Sequence, residues 1–229
     1  MRNILGRTKA PKNIEYQSFT NILNEHDVPY CIDSGVLLAL MREGKLFENE
    51  KDVDIQMWAE HENKLYSLLP LFKDRGYKVT IWLYKGLTYQ YRFLHPYKIP
   101  VHIMLFRRKG NWAWCPASKA TGNPFKTLPG RYLYYGFNGF RRRIRQYLVT
   151  TDISIWPWNM QRIVATWRVP AMYFDQTFFH EDFKVYIPHQ WDEYLQFRYG
   201  NWRVPAEKWD FWHEDGAIIH QNPDYFMDE

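Results

Sequence analysis

The sequence predicts an α/β (α+β) fold: a mixed sheet with flanking helices, followed by a loop-rich, partly helical C-terminal half. Three observations predict it. Apolar residues recur at helical spacing in two stretches of the first half, with a third, shorter helical run between them. Five runs of alternating or continuous apolar residues lie around these stretches. The signals interleave along the chain, which favours helices packed on a sheet over separate all-α and all-β regions.

Taken in order, residues 14–26 place Tyr16, Phe19, Ile22 and Leu23 on one helical face. The run "VPYCID" (28–33) reads as a short strand, and "SGVLLALMREG" (34–44) as a turn, a helix of about two turns and a glycine stop. A strand follows around 52–58. The next helix, 60–75, carries Leu65, Leu68, Leu69 and Phe72 on one stripe and is closed by Gly76. Strands are expected at 77–84, 87–94 and 101–106. Beyond 107, "GNWAWCPASKATGNPFKTLPG" reads as loop, "FNGFRRRIRQYLV" (137–149) as a basic helix, and 150–229 as short helices between Pro-punctuated turns. No linker divides the chain. We therefore expect one domain, 1–229, with a core over about 14–106 and an elaboration over about 107–229 packing on the same site.

Composition narrows the function classes. Hydrophobic residues make up 46% and aromatics 19% of 229 residues, enough for a packed core and too many for a disordered chain. No run approaches the ~20 apolar residues of a membrane span, and the first residues lack a secretory apolar core. Two cysteines exclude a disulfide framework or a four-cysteine zinc site. These features point to the cytoplasm, with peripheral contact at an anionic membrane left open. The net charge of +5 is unevenly spread: residues 75–151 hold 15 Lys/Arg and no Asp or Glu. That segment creates a positive field suited to phosphates or other polyanions, or is simply a basic solvated surface.

One strand stands out chemically. In "ENEKDVDIQMW" (48–58), Val53, Ile55 and Met57 share one face, and Asp52, Asp54 and Gln56 the other. Two carboxylates at i and i+2 repel, and a divalent cation is the partner that best makes the pair stable. The alternative is a solvated strand edge. Upstream, Ser34-Gly35 sits between a strand and a helix, where a glycine and free helix N–H groups suit a phosphate; an ordinary turn is the alternative.

The stretch "DSGVLLALMREGKLFENEKDVDIQMW" resembles the signature of the LicD/fukutin family: Gly-Thr-Leu-Leu-Gly, an Arg, then Pro-Trp-Asp-x-Asp-x-Asp. Gly35, Leu37, Leu38, Arg42, Asp52, Asp54 and Ile55 match. "IPHQWDEYLQFRYGNWRVP" (187–205) resembles the family's C-terminal motif through Leu195, Tyr199, Gly200, Trp202 and Pro205. The resemblance implies a nucleotidyltransferase-like fold. It also implies a transferase that moves a phospho-alcohol or phospho-sugar group, such as phosphocholine or a polyol phosphate, to a glycan of cell-surface polysaccharide. The donor would be nucleotide-activated, in the family CDP-linked, and the cofactor Mg²⁺ or Mn²⁺. Asp52 and Asp54 would hold the metal, Ser34, Gly35 and Arg42 the donor phosphates, and Tyr199, Gly200 and Trp202 would stand near the site. Glu50 replaces the first acid of the run and is the candidate base; Val36, Ala39 and Asn49 also depart from the pattern. His102 falls where a further carboxylate is expected, and is either a metal ligand or a core histidine. Two rivals remain: transfer of a nucleoside monophosphate to a small molecule or protein, and a non-catalytic module binding acidic glycan or nucleic acid. Nucleic acid is not a favoured partner of the enzyme readings.

Overall fold

The computed structural model describes residues 16–120, 153–156 and 161–227. It opens with helix α1 (Gln17–Glu25), which buries Phe19, Ile22 and Leu23. Strand β1 (Cys31–Ile32) leads directly into α2 (Ser34–Glu43), longer than the two turns expected and closed by Gly44 at φ +68°. Only a residue without a Cβ takes that left-handed cap cheaply. Strand β2 (Val53–Trp58) follows.

The helix expected over 60–75 is divided. A 3₁₀ turn (Ala59–His61) precedes α3 (Glu62–Ser67) and α4 (Leu69–Asp74), with the break at Leu68. Pro70 stands in the first turn of α4, where its missing N–H is tolerated; inside one continuous helix it would remove a hydrogen bond and clash with the preceding turn. Leu65, Leu69 and Phe72 still share the core face.

Strands β3 (Lys78–Tyr84), β4 (Leu87–Leu94) and β5 (Val101–Lys109) form the antiparallel centre of the sheet. The start of β5 lies between β4 and β2, and its β2 pairing is parallel, Val53 opposite Val101 through Trp58 opposite Phe106. β1 pairs antiparallel with β2 on its other side.

The C-terminal half differs from expectation. Residues 112–120, read as loop, are strand β6, joined to the end of β5 by the turn at Gly110-Asn111. Strands β7 (Ile153–Trp156), β8 (Gln161–Pro170), β9 (Thr177–His180), β10 (Val185–Pro188) and β11 (Ile218–Ile219) follow, with short helices α5 (Met172–Asp175), α7 (Phe211–Glu214) and α8 (Asp224–Met227). The longest described helix of this half, α6 (Trp191–Tyr199), precedes Gly200. Pro116 suggests a break, yet β6 runs through it opposite Thr166 and irons out its register at a bulge between Ala117 and Ser118. The half is strand-rich. The basic stretch 140–148 lies outside the described residues.

The main sheet orders as β11-β8-β6-β5-β4-β3-β7, with β2 and β1 beside β5. One buried cluster runs from Tyr16 to Ile218, so core positions of both halves share an interior. The class is the expected mixed α/β, with helices on a mixed sheet.

Candidate active site

The site begins with the register of β1 and β2. Cys31 opposes Gln56 and Ile32 opposes Ile55, and the Asp33 N–H donates to the Asp54 carbonyl at 3.0 Å. That bond sets the Asp33-Ser34-Gly35 turn beside the strand carrying Asp52 and Asp54. Ser34 adopts φ +55°, a strained conformation for a residue with a side chain. Gly35 faces Glu50: a Cβ there would stand 3.2 Å from the Glu50 carboxylate. Three carboxylates and the N-terminus of α2 thus meet.

The parallel register places His102 opposite Asp54. Its Nδ1 lies 3.5 Å from Asp52 Oδ2 and 3.5 Å from Asp54 Oδ1, and one ligand atom from each residue falls within 4.8 Å of the others. Asp52, Asp54 and His102 therefore form a group that could hold a metal ion. The electrostatics match a site short of positive charge. Burial, then the Asp54 charge, raises the Asp52 pKa, against the opposing pull of His102, Arg92 and Lys51. Burial also raises Glu50, with Asp52 and Asp54 adding to the effect.

Arg92 on β4 bears on how far His102 fits. Its Nε–H donates to His102 Nε2 at 3.0 Å. A neutral ring that accepts at Nε2 carries its proton on Nδ1, aimed at the two aspartates. Ligation through Nδ1 would move that proton to Nε2, against the Arg92 donor. The carboxylate pair fits a hard divalent ion; His102 fits as a third ligand only with the Arg92 bond broken. In the arrangement seen, its Nδ1 edge faces both carboxylates at 3.5 Å.

Behind the turn lies a polar network that sequence reading missed. Arg198 of α6 is 1% exposed. Its Nη1 donates to Asp33 Oδ1 at 2.7 Å and Ser34 Oγ at 3.2 Å; Nε donates to Asp215 Oδ1 at 3.1 Å, and Nη2 to Asp215 Oδ2. Tyr194 donates to Asp33 Oδ1 at 2.6 Å, and Gln56 donates to Asp33 Oδ2 and the Tyr194 hydroxyl. Burial alone would lower the Arg198 pKa, but the surrounding anionic groups, Asp33 foremost, hold it above its ordinary value. The Ser34 hydroxyl is therefore directed inward, and the turn's remaining offer to a ligand is its backbone. The signals for this network were present but scattered: an Asp ending an apolar strand, an Arg inside an aromatic helix, and the Asp of "HEDG".

The C-terminal motif adjoins this network through Arg198. Arg198 and Tyr199 are neighbours on α6, and the Asp54 charge acts on Tyr199, whose pKa is raised chiefly by burial. Gly200 has φ +63° with open space around its Cα, so backbone conformation accounts for the glycine. Trp202 is buried and accepts at its carbonyl from Arg42 at 3.3 Å. Arg42 also bonds Glu43 and lies over Phe47. It sits eight residues along α2 from Ser34, about 12 Å. The structure thus sets Arg42 against the C-terminal motif rather than among the carboxylates.

No protein-family model matches the chain, and no curated protein matches it. Among solved structures, a lincosamide antibiotic adenylyltransferase, LnuA, in a lincomycin-bound crystal structure, is similar over 48% of this chain and 65% of that chain. The identity is 19% and the TM-score 0.34, and the match spans less than two thirds of that enzyme's length.

Proposed function

We propose that this chain is a metal-dependent transferase of nucleotidyltransferase type, built as one domain, that takes a phosphorus-containing group from a nucleotide-activated donor. The observation that carries the reading is the juxtaposition of the Ser34-Gly35 turn with the Asp52/Asp54 pair through the Asp33–Asp54 backbone bond. Asp52 and Asp54 would hold the divalent ion, which when bound neutralises phosphate charge and supports the leaving group. The backbone N–H groups opening α2 would orient a donor phosphate. Glu50, with its raised pKa, would take the proton of the acceptor hydroxyl as the new P–O bond forms and the old one breaks. His102, held by Arg92, would fix the orientation of both aspartates.

In the first reading the group is a nucleoside monophosphate, the acceptor a small molecule or protein, and the leaving group pyrophosphate. In the second, LicD-like reading, a phospho-alcohol or phospho-sugar moves to a glycan and a nucleoside monophosphate leaves. The second is favoured by one observation: the family-like motif around Tyr199 and Trp202 packs on the Asp33-Ser34 turn and on α2. Phosphorus NMR on reactions containing nucleoside triphosphates, CDP-alcohols or CDP-polyols, with Mg²⁺ or Mn²⁺, separates the two by product. A donor at 100 times its Kd should also stabilise the fold by about 2.7 kcal/mol. Absence of both turnover and metal-dependent stabilisation across that set would overturn the transferase reading in favour of a polyanion-binding module. Among the described residues no helix is long and apolar enough to cross a membrane.

A further inference from the structure

The chemistry proposed above leaves the departing group without a side-chain partner. Taking the acceptor proton at Glu50 sets the direction of attack. Glu50 faces Gly35 at the opening of α2, and β1 with α2 flanks β2 on the side away from β5. In phosphoryl transfer the entering and leaving oxygens stand roughly in line across the phosphorus. With the acceptor beside Glu50 and the phosphorus at Asp52 and Asp54, the leaving group points over β5 towards β4.

One row of side chains crosses the sheet in that direction. Asp54 opposes His102 and His102 opposes Arg92, so the three share a face. Only the imidazole separates the guanidinium from the carboxylates: Nδ1 lies 3.5 Å from each aspartate, and Nε2 lies 3.0 Å from Arg92 Nε. Arg92 is half-buried and makes no ion pair among the described residues. Its bond to His102 fixes the guanidinium, while Nη1 and Nη2 have no hydrogen-bond partner among the described residues and are not sealed from solvent. Two other guanidiniums are already committed, Arg198 to Asp33 and Asp215, and Arg42 to Glu43 and the Trp202 carbonyl. Strands β3, β4 and β5 hold no Asp or Glu that would compete for Arg92. A fixed fork with two open nitrogens, in a wall without carboxylates, matches phosphate oxygens.

We propose that Arg92 binds the leaving phosphate through Nη1 and Nη2, across the aspartate pair from Glu50. The proposal rests on the transferase reading and deepens it. As the acceptor oxygen bonds to phosphorus, its proton passes to Glu50. The bond from phosphorus to the bridging oxygen breaks, that oxygen keeps the electron pair, and Arg92 donates hydrogen bonds to the departing phosphate while retaining its protons. The departing anion is pyrophosphate in the first reading and a nucleoside monophosphate in the second, and each presents a phosphate to Arg92.

The test is calorimetric titration of the whole chain with pyrophosphate and with CMP, each with Mg²⁺ in excess. At least one anion should bind, and Arg92→Met should weaken that binding at least about tenfold. Arg92→Lys keeps the charge without the fork and should still lose about threefold or more. An Arg92-dependent loss for pyrophosphate marks nucleotidyl transfer, and one for CMP marks the LicD-like reaction. Lys51→Met removes an exposed charge that also acts on Asp52, and His102→Ala removes the ring while leaving the guanidinium; each should cost less than Arg92→Met. Undiminished affinity in Arg92→Met overturns the proposal and leaves the transferase reading standing. A loss in Lys51→Met or His102→Ala equal to that in Arg92→Met also overturns it, by assigning the effect to general charge or to orientation of the ring. If the wild-type chain binds neither anion up to about 1 mM, the proposal and the transferase reading fall together.

Discussion

Replacing Arg198 with methionine tests whether one guanidinium holds the Asp33-Ser34 turn of the candidate site in place. Met keeps most of the side-chain volume and removes the charge, stranding Asp33 and Asp215, whose side chains are 1% and 0% exposed. Removing one partner of a buried ion pair costs about 3–5 kcal/mol, because the other charge remains in a low dielectric. Two carboxylates lose their partner here, but they share a network and the penalties do not add. Roughly 4 kcal/mol is a conservative figure. For a chain of this size about 3 °C is lost per kcal/mol, so Tm should fall by about 12 °C in a calorimetric or circular dichroism melt. Adding Asp33→Asn and Asp215→Asn to Arg198→Met removes the stranded charges and should recover at least half of the loss, since neutral replacement of a buried network is well tolerated. An Arg198→Met protein melting within about 3 °C of wild type would refute the view that this residue balances both aspartates. A triple variant less stable than the single one would do the same.

Four other expectations follow from the same geometry. Asp54→Asn should fold normally and lose on the order of a hundredfold or more in transfer rate, the scale of lost electrostatic stabilisation, and near-wild-type turnover would remove it from the metal clamp. Asp52 has a raised pKa in the folded protein, so between its ordinary value near 3.8 and the raised one the native state holds more protons and stability falls as pH rises; Asp52→Asn should therefore raise Tm at neutral pH in metal-free buffer, and the gain should vanish below about pH 4. Gly216→Ala would push a Cβ to 2.1 Å from the Phe197 carbonyl oxygen, a backbone atom that cannot step aside; it should cost at least about 2 kcal/mol, whereas Gly44→Ala, with open space and φ +68°, should cost about 1, and equal melts for the two would contradict the contact. Arg92→Met should free His102 Nε2 and tighten Mn²⁺ binding by about tenfold, the scale of second-layer partners in metal sites, and the gain should disappear in Arg92→Met/His102→Ala; unchanged Mn²⁺ affinity in Arg92→Met would show that the bond does not restrain the ring.

The first half of the fold was legible because its signals are local. Periodic apolar residues in α1 and α2, glycine stops and alternating strands each decide a few residues without reference to the rest. The split at Leu68 was legible too, had Pro70 been weighed above the leucine stripe. Strand β6 was not. "WAWCPASKA" has small residues and a proline where strand propensity wants branched ones, and it is held by pairing with β8, some 40 residues on. The site divides in the same way. Asp52 and Asp54 announce themselves because two adjacent strand carboxylates need an explanation within a single turn of sequence. Arg198, Asp33 and Asp215 do not, since each is unremarkable alone and becomes necessary only when α6 lands on the Asp33-Ser34 turn.

His102 shows how a departure from pattern is resolved by its neighbours. Its place opposite Asp54 is fixed by the parallel register, and on that ground alone it would count as a ligand. Arg92 alters the conclusion by occupying Nε2 and so dictating where the ring proton lies. A third carboxylate at this position would add repulsion to a site where Asp52 is already raised in pKa by burial and by Asp54, and would increase its need for a cation. A histidine whose Nδ1 lies 3.5 Å from both aspartates, backed by a guanidinium, offsets part of that repulsion from within the protein. The compensation is incomplete, since Asp52 remains raised with His102 and Arg92 beside it, and a cation held by Asp52 and Asp54 would supply the positive charge that the chain leaves short.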